Sequence, residues 1–301
     1  MVAVKEKTHE ARNMKPMMTM AAVLVMLTSL SPSVGAEEGT AKAVATRTNA
    51  GAEESTTDLA KKTQNPVADL ISIPFQNNTN FGIGPHDRVQ NVLNVQPVIP
   101  FNLNTEWNLI TRTIIPIIMQ PNLTTTEENT WGLGDVNITA FLSPAKSGSL
   151  IWGVGPSVQL DTGTEEVTAT RKWAAGPSAV ALTMQGPWVV GALIRQIWSF
   201  AGNSDRQDLS QFLLQPILNY NLSDGWYLTS SPIITADWEA TGGNKWTVPV
   251  GGGIGKVQRI GKLPFNLSLA AFSNVVRPDP GAEWTLRAQI ALLLPKSFFS
   301  N

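Results

Sequence analysis

The stretch Leu209–Trp238, LSQFLLQPILNYNLSDGWYLTSSPIITADW, shows the pattern that the rest of the chain repeats. Its polar and apolar side chains alternate with a period of two on both sides of Ser223-Asp224-Gly225. Such alternation around an Asp-Gly turn predicts a β-hairpin. Each arm has about a dozen residues, whereas an ordinary strand has about five or six and a tilted membrane-spanning strand about 9–11. The hairpin is therefore long enough to cross a bilayer.

The composition sets the chain apart from ordinary soluble domains. It has 301 residues, a net charge of −1, no cysteine and 15% charged residues, against about 25% in soluble domains. The length suits one large β-domain. The near-neutral charge gives no reason to expect nucleic acid as a partner, and the lack of cysteine excludes disulfides and cysteine–metal sites. No apolar run of about 18 residues follows residue 36, so no helical membrane span is predicted there.

Residues 1–36 have the organisation of a secretory signal peptide. Positive charges lie between Lys5 and Lys15, an apolar core covers Met17–Leu30, and Val34–Ala36 supplies small residues for cleavage. A retained anchor is the alternative, which the short apolar core disfavours. Met14 is an alternative start. This signal predicts export, and together with the strand pattern described below it predicts a place in the outer membrane of a Gram-negative bacterium.

Residues 37–65 are predicted to form a flexible leader. The segment 37–54 is rich in Ala, Thr, Gly and Glu, a composition typical of disorder. Thr57–Lys62 predicts a short helix that ends before Asn65-Pro66. The helix lies either at the periplasmic rim or inside a lumen, and the sequence does not distinguish these positions.

Twelve strand-like segments follow Pro66. They are 67–79, 90–101, 105–118, 134–143, 149–161, 172–184, 187–200, 209–222, 226–238, 245–256, 264–276 and 283–294. Their connections alternate between short turns and longer, more charged loops, such as 82–89 and 119–133. An even strand number with this alternation is typical of an outer-membrane barrel. The predicted fold is an all-β, transmembrane, antiparallel up-and-down barrel over 66–296, with short periplasmic turns, longer extracellular loops and a tail at 297–301.

The ten tryptophans lie near the ends of the predicted strands. Indole rings prefer the two membrane interfaces, where they form aromatic girdles. The predicted interface residues are Trp107, Trp131, Trp152, Trp173, Trp188, Trp198, Trp226, Trp238, Trp246 and Trp284.

One face of each strand is polar but mostly uncharged, which is typical of a hydrated lumen. The predicted pore-lining residues are Asn94, Gln96, Glu106, Arg112, Asp135, Asn137, Gln159, Gln215, Asn219, Thr235, Asp237, Arg287 and Gln289. An arginine or lysine facing lipid at mid-depth costs about 2–4 kcal/mol, so inward charges are favoured. The mixed signs of these charges, with the many Asn and Gln, predict passage of small neutral or weakly polar solutes. Small aromatic solutes are also expected to pass.

Several prolines interrupt the predicted strands, among them Pro97, Pro156, Pro177, Pro232 and Pro249. Proline lacks the N–H that a ladder needs, and a closed barrel has no edge strand on which to place it. We therefore expect bulges or kinks at these positions.

The sequence does not predict an enzyme, a cofactor or a metal site. His86 is the one histidine after the predicted signal and lies in a predicted loop. A serine hydrolase would need that histidine beside a nucleophilic serine, and no Gly-x-Ser-x-Gly motif is present. Gly251–Gly255 lacks the Lys-Ser/Thr and the helix of a phosphate loop, and we interpret it as a close-packed or bent strand.

Several motifs resemble a family of bacterial outer-membrane barrels. They include Gln64–Gln76 (QNPVADLISIPFQ), Gly132–Asp135 (GLGD), Gln215–Leu222 (QPILNYNL) and Trp246–Gly253 (WTVPVGGG), and the last is Leu294–Lys296 (LPK). Together they resemble putative "transporter" barrels related to the phenol meta-pathway type, some of which carry the automated name "neuromedin U". The resemblance covers nearly all of 64–296. It implies a barrel with a transport role, without naming a solute or functional residues.

Three hypotheses remain open from the sequence. The first is an outer-membrane channel whose partners are the lipid bilayer, the outer-membrane assembly machinery and an unidentified small solute. The second is a barrel with a structural or surface-interaction role, in which side chains, loops or residues 37–65 plug the lumen. The third is an enzyme whose histidine-based form would require His86. A soluble secreted β-barrel or sandwich is the structural alternative to a membrane barrel.

Overall fold

The computed structural model describes residues 55–126, 128–146, 148–261 and 263–294. The predicted signal peptide, the segment 37–54 and the tail at 297–301 lie outside these residues. The described chain contains one helix, α1 (Thr56–Thr63), and fifteen hydrogen-bonded strand segments. Three strands are interrupted once each, so the segments form twelve strands. No described helix has the length and apolarity needed to cross a membrane.

The twelve strands are numbered here in chain order. They are β1 (Ile71–Ile83), β2 (Arg88–Val95 and Val98–Asn102), β3 (Trp107–Pro121), β4 (Asn129–Leu133 and Asn137–Pro144), β5 (Leu150–Gln159), β6 (Lys172–Gln185), β7 (Trp188–Gly202), β8 (Ser210–Asn221), β9 (Trp226–Ser230 and Ile234–Asp237), β10 (Trp246–Ile260), β11 (Leu263–Val276) and β12 (Trp284–Leu294). Each strand pairs antiparallel with the next. β12 pairs antiparallel with β1 from Ile71↔Leu294 to Phe81↔Trp284, which closes the barrel. The predicted all-β, up-and-down barrel of twelve strands is confirmed.

The hairpin formed by β8 and β9 follows the predicted pattern. Asp224 and Gly225 have φ values of 55° and 75°, as a tight hairpin turn requires. A side chain at Gly225 would meet the Val257 carbonyl oxygen at 2.3 Å, so glycine is needed for space as well as for conformation. The pairs Asn221↔Tyr227 and Gln211↔Asp237 lie at the two ends of one continuous register.

Three of these prolines lie where strand pairing is irregular. Pro97 and Pro232 fall in the interruptions of β2 and β9, and Pro249 lies at a register shift between β10 and β11. Because proline has no N–H to donate, these positions interrupt or bend the ladder while the barrel still closes. Pro156 and Pro177 instead lie opposite each other in an unbroken register, so the expected bulge is absent between β5 and β6.

Several predicted strand boundaries are wrong, and two of the displaced starts are informative. The first strand starts at Ile71 instead of residue 67, because Val67 packs inside the barrel against Ile110 and Phe141. The fourth strand includes Asn129–Leu133, which was predicted as loop. This segment pairs with the last residues of β3, from Ile117↔Leu133 to Pro121↔Asn129.

The connections differ at the two ends of the barrel. One end, here called the short-turn end, carries segments such as 103–106, 186–187 and 222–225. The other, the long-loop end, carries 84–87, 160–171, 203–209, 238–245 and 277–283. β1 begins and β12 ends at the short-turn end, since Ile71 pairs with Leu294.

The outer face of the barrel is mostly apolar, and the tryptophans lie near the strand ends. Exposed outward residues include Val190, Ile194, Leu218 and Leu228. Trp107 and Trp152 make an edge-to-face contact near the short-turn end, with ring centroids 6.0 Å apart. The other eight tryptophans are exposed. Their role at the membrane interfaces stays a prediction.

Candidate functional site

The lumen is the candidate site, because alternation along the strands brings polar side chains together there. A cavity of about 190 Å³ lies toward the short-turn end of the lumen. Six predicted pore-lining residues line it: Gln96, Arg112, Gln215, Asn219, Arg287 and Gln289.

Two further cavities share lining residues with the first. A cavity of about 70 Å³ shares Gln96, Arg112 and Gln215 with it and also includes Asn94 and Asn137. A third, of about 290 Å³, shares Arg287 with the first cavity and Ile233 with the second. The small cavity is called the constriction below.

The remaining predicted pore-lining residues lie in different surroundings. Thr235 faces the same side as Leu213, which lines the constriction. Asp237 lies opposite Gln211 near the long-loop end. Gln159 is buried opposite Asn137 and donates to Thr170 Oγ1 at 2.9 Å.

Two predicted acidic residues do not line these cavities. Asp135 binds the segment 160–171: its carboxylate accepts hydrogen bonds from the Gly163 N–H at 3.0 Å and from the Thr170 N–H at 2.7 Å. Glu106 lies in the turn 103–106, where its N–H donates to Asn104 Oδ1. Neither residue lines the three cavities, and Asp237 does not line them either.

Three arginines from distant strands converge on the lumen. Arg112 on β3 and Arg195 on β7 line the constriction, and Arg287 on β12 lines the two cavities beside it. Arg112 lines one cavity together with Arg287 and the other together with Arg195, so the three guanidinium groups form one cluster of positive charge.

Sequence reasoning missed Arg195. It is adjacent to Gln196, and either residue of that pair could have faced inward. Gln196 lies on the opposite, outward side, where its Oε1 accepts a hydrogen bond from Trp238 Nε1 at 3.0 Å. Both alternating faces of β7 are largely apolar in sequence, so the pattern held no signal for Arg195; that Val189, Leu193 and Ile197, which share its parity, are buried is evident only from the structure.

Hydroxyl groups join the inner faces of β4, β5 and β6. Thr139 hydrogen-bonds Ser157, and Ser157 hydrogen-bonds Ser178 at 2.7 Å. All three residues are buried. These hydroxyl groups therefore supply one another's hydrogen-bond partners inside the barrel wall beside the constriction.

The helix α1 packs inside the short-turn end. Leu59 and Ala60 are buried in one apolar cluster with Tyr227, Val257 and Leu293. The segment after the helix is held by polar contacts, since Gln64 Nε2 donates to Asn221 Oδ1 at 2.9 Å. Of the two positions that the sequence left open, the helix therefore occupies the lumen side.

A second apolar cluster lies on the inner face near the same end. It contains Val67, Ile110, Phe141, Val180, Leu182, Val189, Leu193 and Ile217. Together with α1 it narrows this end of the lumen. Among the described residues no group of three or more His, Cys, Asp or Glu could hold a metal ion.

The chain matches no protein-family model and no curated protein. It is similar in structure to the COG4313 outer membrane channel from Pseudomonas putida F1, with a TM-score of 0.57 and 15% identity over 75% of this chain and 94% of that chain. At this identity the likeness shows a shared fold.

Two further solved structures are less similar in shape. Outer membrane phospholipase A from Escherichia coli has a TM-score of 0.40 and 11% identity over 75% of this chain and 96% of that chain. The toluene transporter TodX from P. putida has a TM-score of 0.35 and 8% identity over 79% and 91%. These two are too distant to inform function, and none of the three carries the name neuromedin U.

Proposed function

We propose that the protein is an outer-membrane channel that passes small neutral, weakly polar or aromatic solutes. The observation that carries the proposal is the series of polar cavities inside a closed barrel whose outer face is apolar. Arg112 and Gln215 line both the 190 Å³ cavity and the constriction, so these spaces adjoin along the lumen. A path for small polar solutes requires polar space of this kind inside the barrel.

The same proposal includes location, export and partners. A signal peptide at 1–36 directs the chain across the inner membrane, the assembly machinery inserts the barrel, and the short-turn end faces the periplasm. The apolar outer face supports insertion, because only closed barrels and helices satisfy their backbone hydrogen bonds in lipid. The chain is further proposed to belong to the transporter barrels that its motifs resemble, and the shared fold with the COG4313 channel supports that assignment.

A plugged barrel is the second candidate, and the position of α1 favours it. The helix buries Leu59 and Ala60 against the inner wall, and Gln64 bonds to Asn221. If α1 stays in place, it restricts the periplasmic exit. The two candidates then differ in whether solutes pass with the helix present.

We propose that the protein is not an enzyme. The histidine-based alternative would use His86, which lies exposed in the segment 84–87 at the long-loop end. A hydrolytic site needs a serine held beside that ring. If a hydrolytic activity is detected, its complete retention in His86→Ala would remove this alternative.

Two measurements test the proposed function. Membrane fractionation and gel mobility with and without boiling test the barrel in the membrane; solubility without detergent, or mobility unchanged by boiling, would contradict it. Liposome swelling with small sugars and aromatic alcohols tests permeation, using the full mature chain and a chain lacking residues 37–65. Swelling in neither preparation would favour a structural role.

A further inference from the structure

The constriction and its neighbouring cavities are lined by positive charge without acidic residues. Arg112, Arg195 and Arg287 contribute guanidinium groups, and no Asp or Glu is among the described residues that line the three cavities. The sequence predicted mixed charges there. Asp135 and Glu106 lie outside these cavities, and Asp237 is near the long-loop end.

The partners of these arginines are neutral. Arg112 donates to Gln96 Oε1 at 2.7 Å. Arg287 donates to Asn78 Oδ1 and to the Ser231 carbonyl oxygen, both at 2.9 Å, and its guanidinium lies 4.7 Å from the centre of the Phe272 ring. Neutral amide and carbonyl partners orient a guanidinium but leave its charge uncompensated.

Two buried donors in the constriction have no hydrogen-bond partner among the described residues. They are Arg195 Nε and Asn137 Nδ2, and both residues line the same cavity of about 70 Å³. A buried N–H without an acceptor is destabilising, and a charged one more so. An acceptor with negative charge would satisfy both donors and balance the arginines.

We propose that the constriction binds the carboxylate of a small organic acid. A carboxylate presents two acceptor oxygens in the plane that a guanidinium recognises. Leu193, Ile217 and Phe272 line the adjoining 190 Å³ cavity and give an apolar surface for an aromatic or alkyl body. The proposal rests on the proposed channel and selects, among its aromatic solutes, those that carry a carboxylate, because the acidic residues whose mixed charges favoured neutral solutes do not line these cavities.

Binding of benzoate to the full mature chain in detergent micelles tests this site. Benzyl alcohol is the matched probe, because it has nearly the same body without the charge. Ligand-observed NMR should show saturable binding of benzoate and none of benzyl alcohol at the same concentrations. Arg195→Gln should weaken benzoate binding about tenfold or more, as expected for a hydrogen bond to a charged group.

The control variant is Lys146→Gln, which removes one positive charge from an exposed turn position at the short-turn end. It should bind benzoate like the parent. Arg195→Lys keeps the charge without the planar fork and should give intermediate binding. Gel mobility of unboiled samples checks that each variant assembles.

Three results would overturn the proposal: equal binding of benzoate and benzyl alcohol by the parent, no benzoate binding by the parent, or unchanged binding in an assembled Arg195→Gln variant. Because benzoate and benzyl alcohol are compared on the parent protein, the test does not depend on whether a variant folds. The binding assay requires no permeation. Benzoate binding without solute flux would therefore contradict the channel and leave the anion site intact. Solute flux without benzoate binding would contradict the anion site and leave the channel intact.

Discussion

The short-turn end and the middle of the lumen are both filled by inward-facing side chains, but those at the short-turn end are apolar and those in the middle are charged. At the short-turn end, Leu59 and Ala60 of α1 pack against Tyr227, Val257 and Leu293. In the middle, Arg112 and Arg195 both line a cavity of about 70 Å³. The first region is stabilised by burial of apolar surface, whereas the arginines of the second have no acidic residue beside them among the described residues of the cavity lining.

In the proposed channel, this contrast separates two tasks. Burial of a leucine side chain contributes about 1.5–3 kcal/mol. Because α1 is held by few such side chains, substitution of one or two of them should release the helix from the lumen. The arginines hold their positions through bonds to the wall, such as Arg112 to Gln96. We therefore expect the helix to set how much passes and the arginines to set what passes.

Deletion of residues 37–65 should have the largest effect on this contrast. It removes α1 together with the segment 37–54, which lies outside the described residues, and it leaves the arginines in place. Conductance in planar bilayers should rise severalfold while ion preference stays the same. Equal conductance with and without these residues would show that the helix does not restrict the path.

Leu59→Asp should give a smaller effect of the same kind. It places a charge in the apolar cluster that holds α1 and removes about 1.5–3 kcal/mol of burial. Conductance should move toward that of the deletion. Thr57→Asp adds the same charge to the first turn of the helix, where a negative charge is tolerated, and should conduct like the parent.

Arg112→Ala and Arg287→Ala should change selectivity more than conductance. The parent should prefer anions, and each variant should shift the reversal potential in a KCl gradient toward that of a non-selective pore. Arg206→Ala removes the same charge from the segment 203–209 at the long-loop end and should keep the parental reversal potential. If both lumen variants assemble and behave like the parent, these residues do not govern the pore.

The smallest effect is expected outside the lumen, at Asp208. Hydrogen bonds from Lys172 and Ser199, together with the charge of Lys172, lower the pKa of this carboxyl. A lowered folded pKa means that its stabilisation is present above the unfolded pKa of about 4 and is lost as the pH falls through the lowered value. In that acidic range, hydrogen exchange of the Leu209 amide, which donates to Ser199 Oγ, should become faster in the parent than in the Asp208→Asn variant. Equal exchange rates in the two chains would show that the Asp208 carboxylate does not stabilise this segment.

The barrel could be predicted from sequence because alternation, turn residues and loop lengths each act locally. The Asp224-Gly225 turn and the closing of twelve strands follow from such signals. The position of α1 could not be predicted, because it depends on contacts such as Gln64 to Asn221, which are far apart in the chain. The site was predicted in part: Arg112 and Arg287 were identified, while Arg195 was missed beside Gln196.

Polarity also misleads where a hydrogen-bonded pair faces outward. Asn77 and Asn91 bond to each other at 2.9 Å on the outer side of β1 and β2, whereas Gln76 and Asn94 face the lumen. Paired amides satisfy one another and so lose most of the penalty for leaving water. A reading of polarity alone cannot separate these two pairs, because their partners lie on neighbouring strands.

Cysteine labelling in β9 tests the division between lumen and lipid most directly, because the chain has no natural cysteine. Thr235→Cys lies on the face of Leu213 and Thr247, which line the lumen cavities, and Ile234→Cys is its neighbour on the outer face. In proteoliposomes, a charged, membrane-impermeant thiol reagent should modify the cysteine at 235 at least about tenfold faster than that at 234, since thiolate forms in water and not in lipid. Equal rates, or faster labelling at 234, would contradict a hydrated lumen in this register.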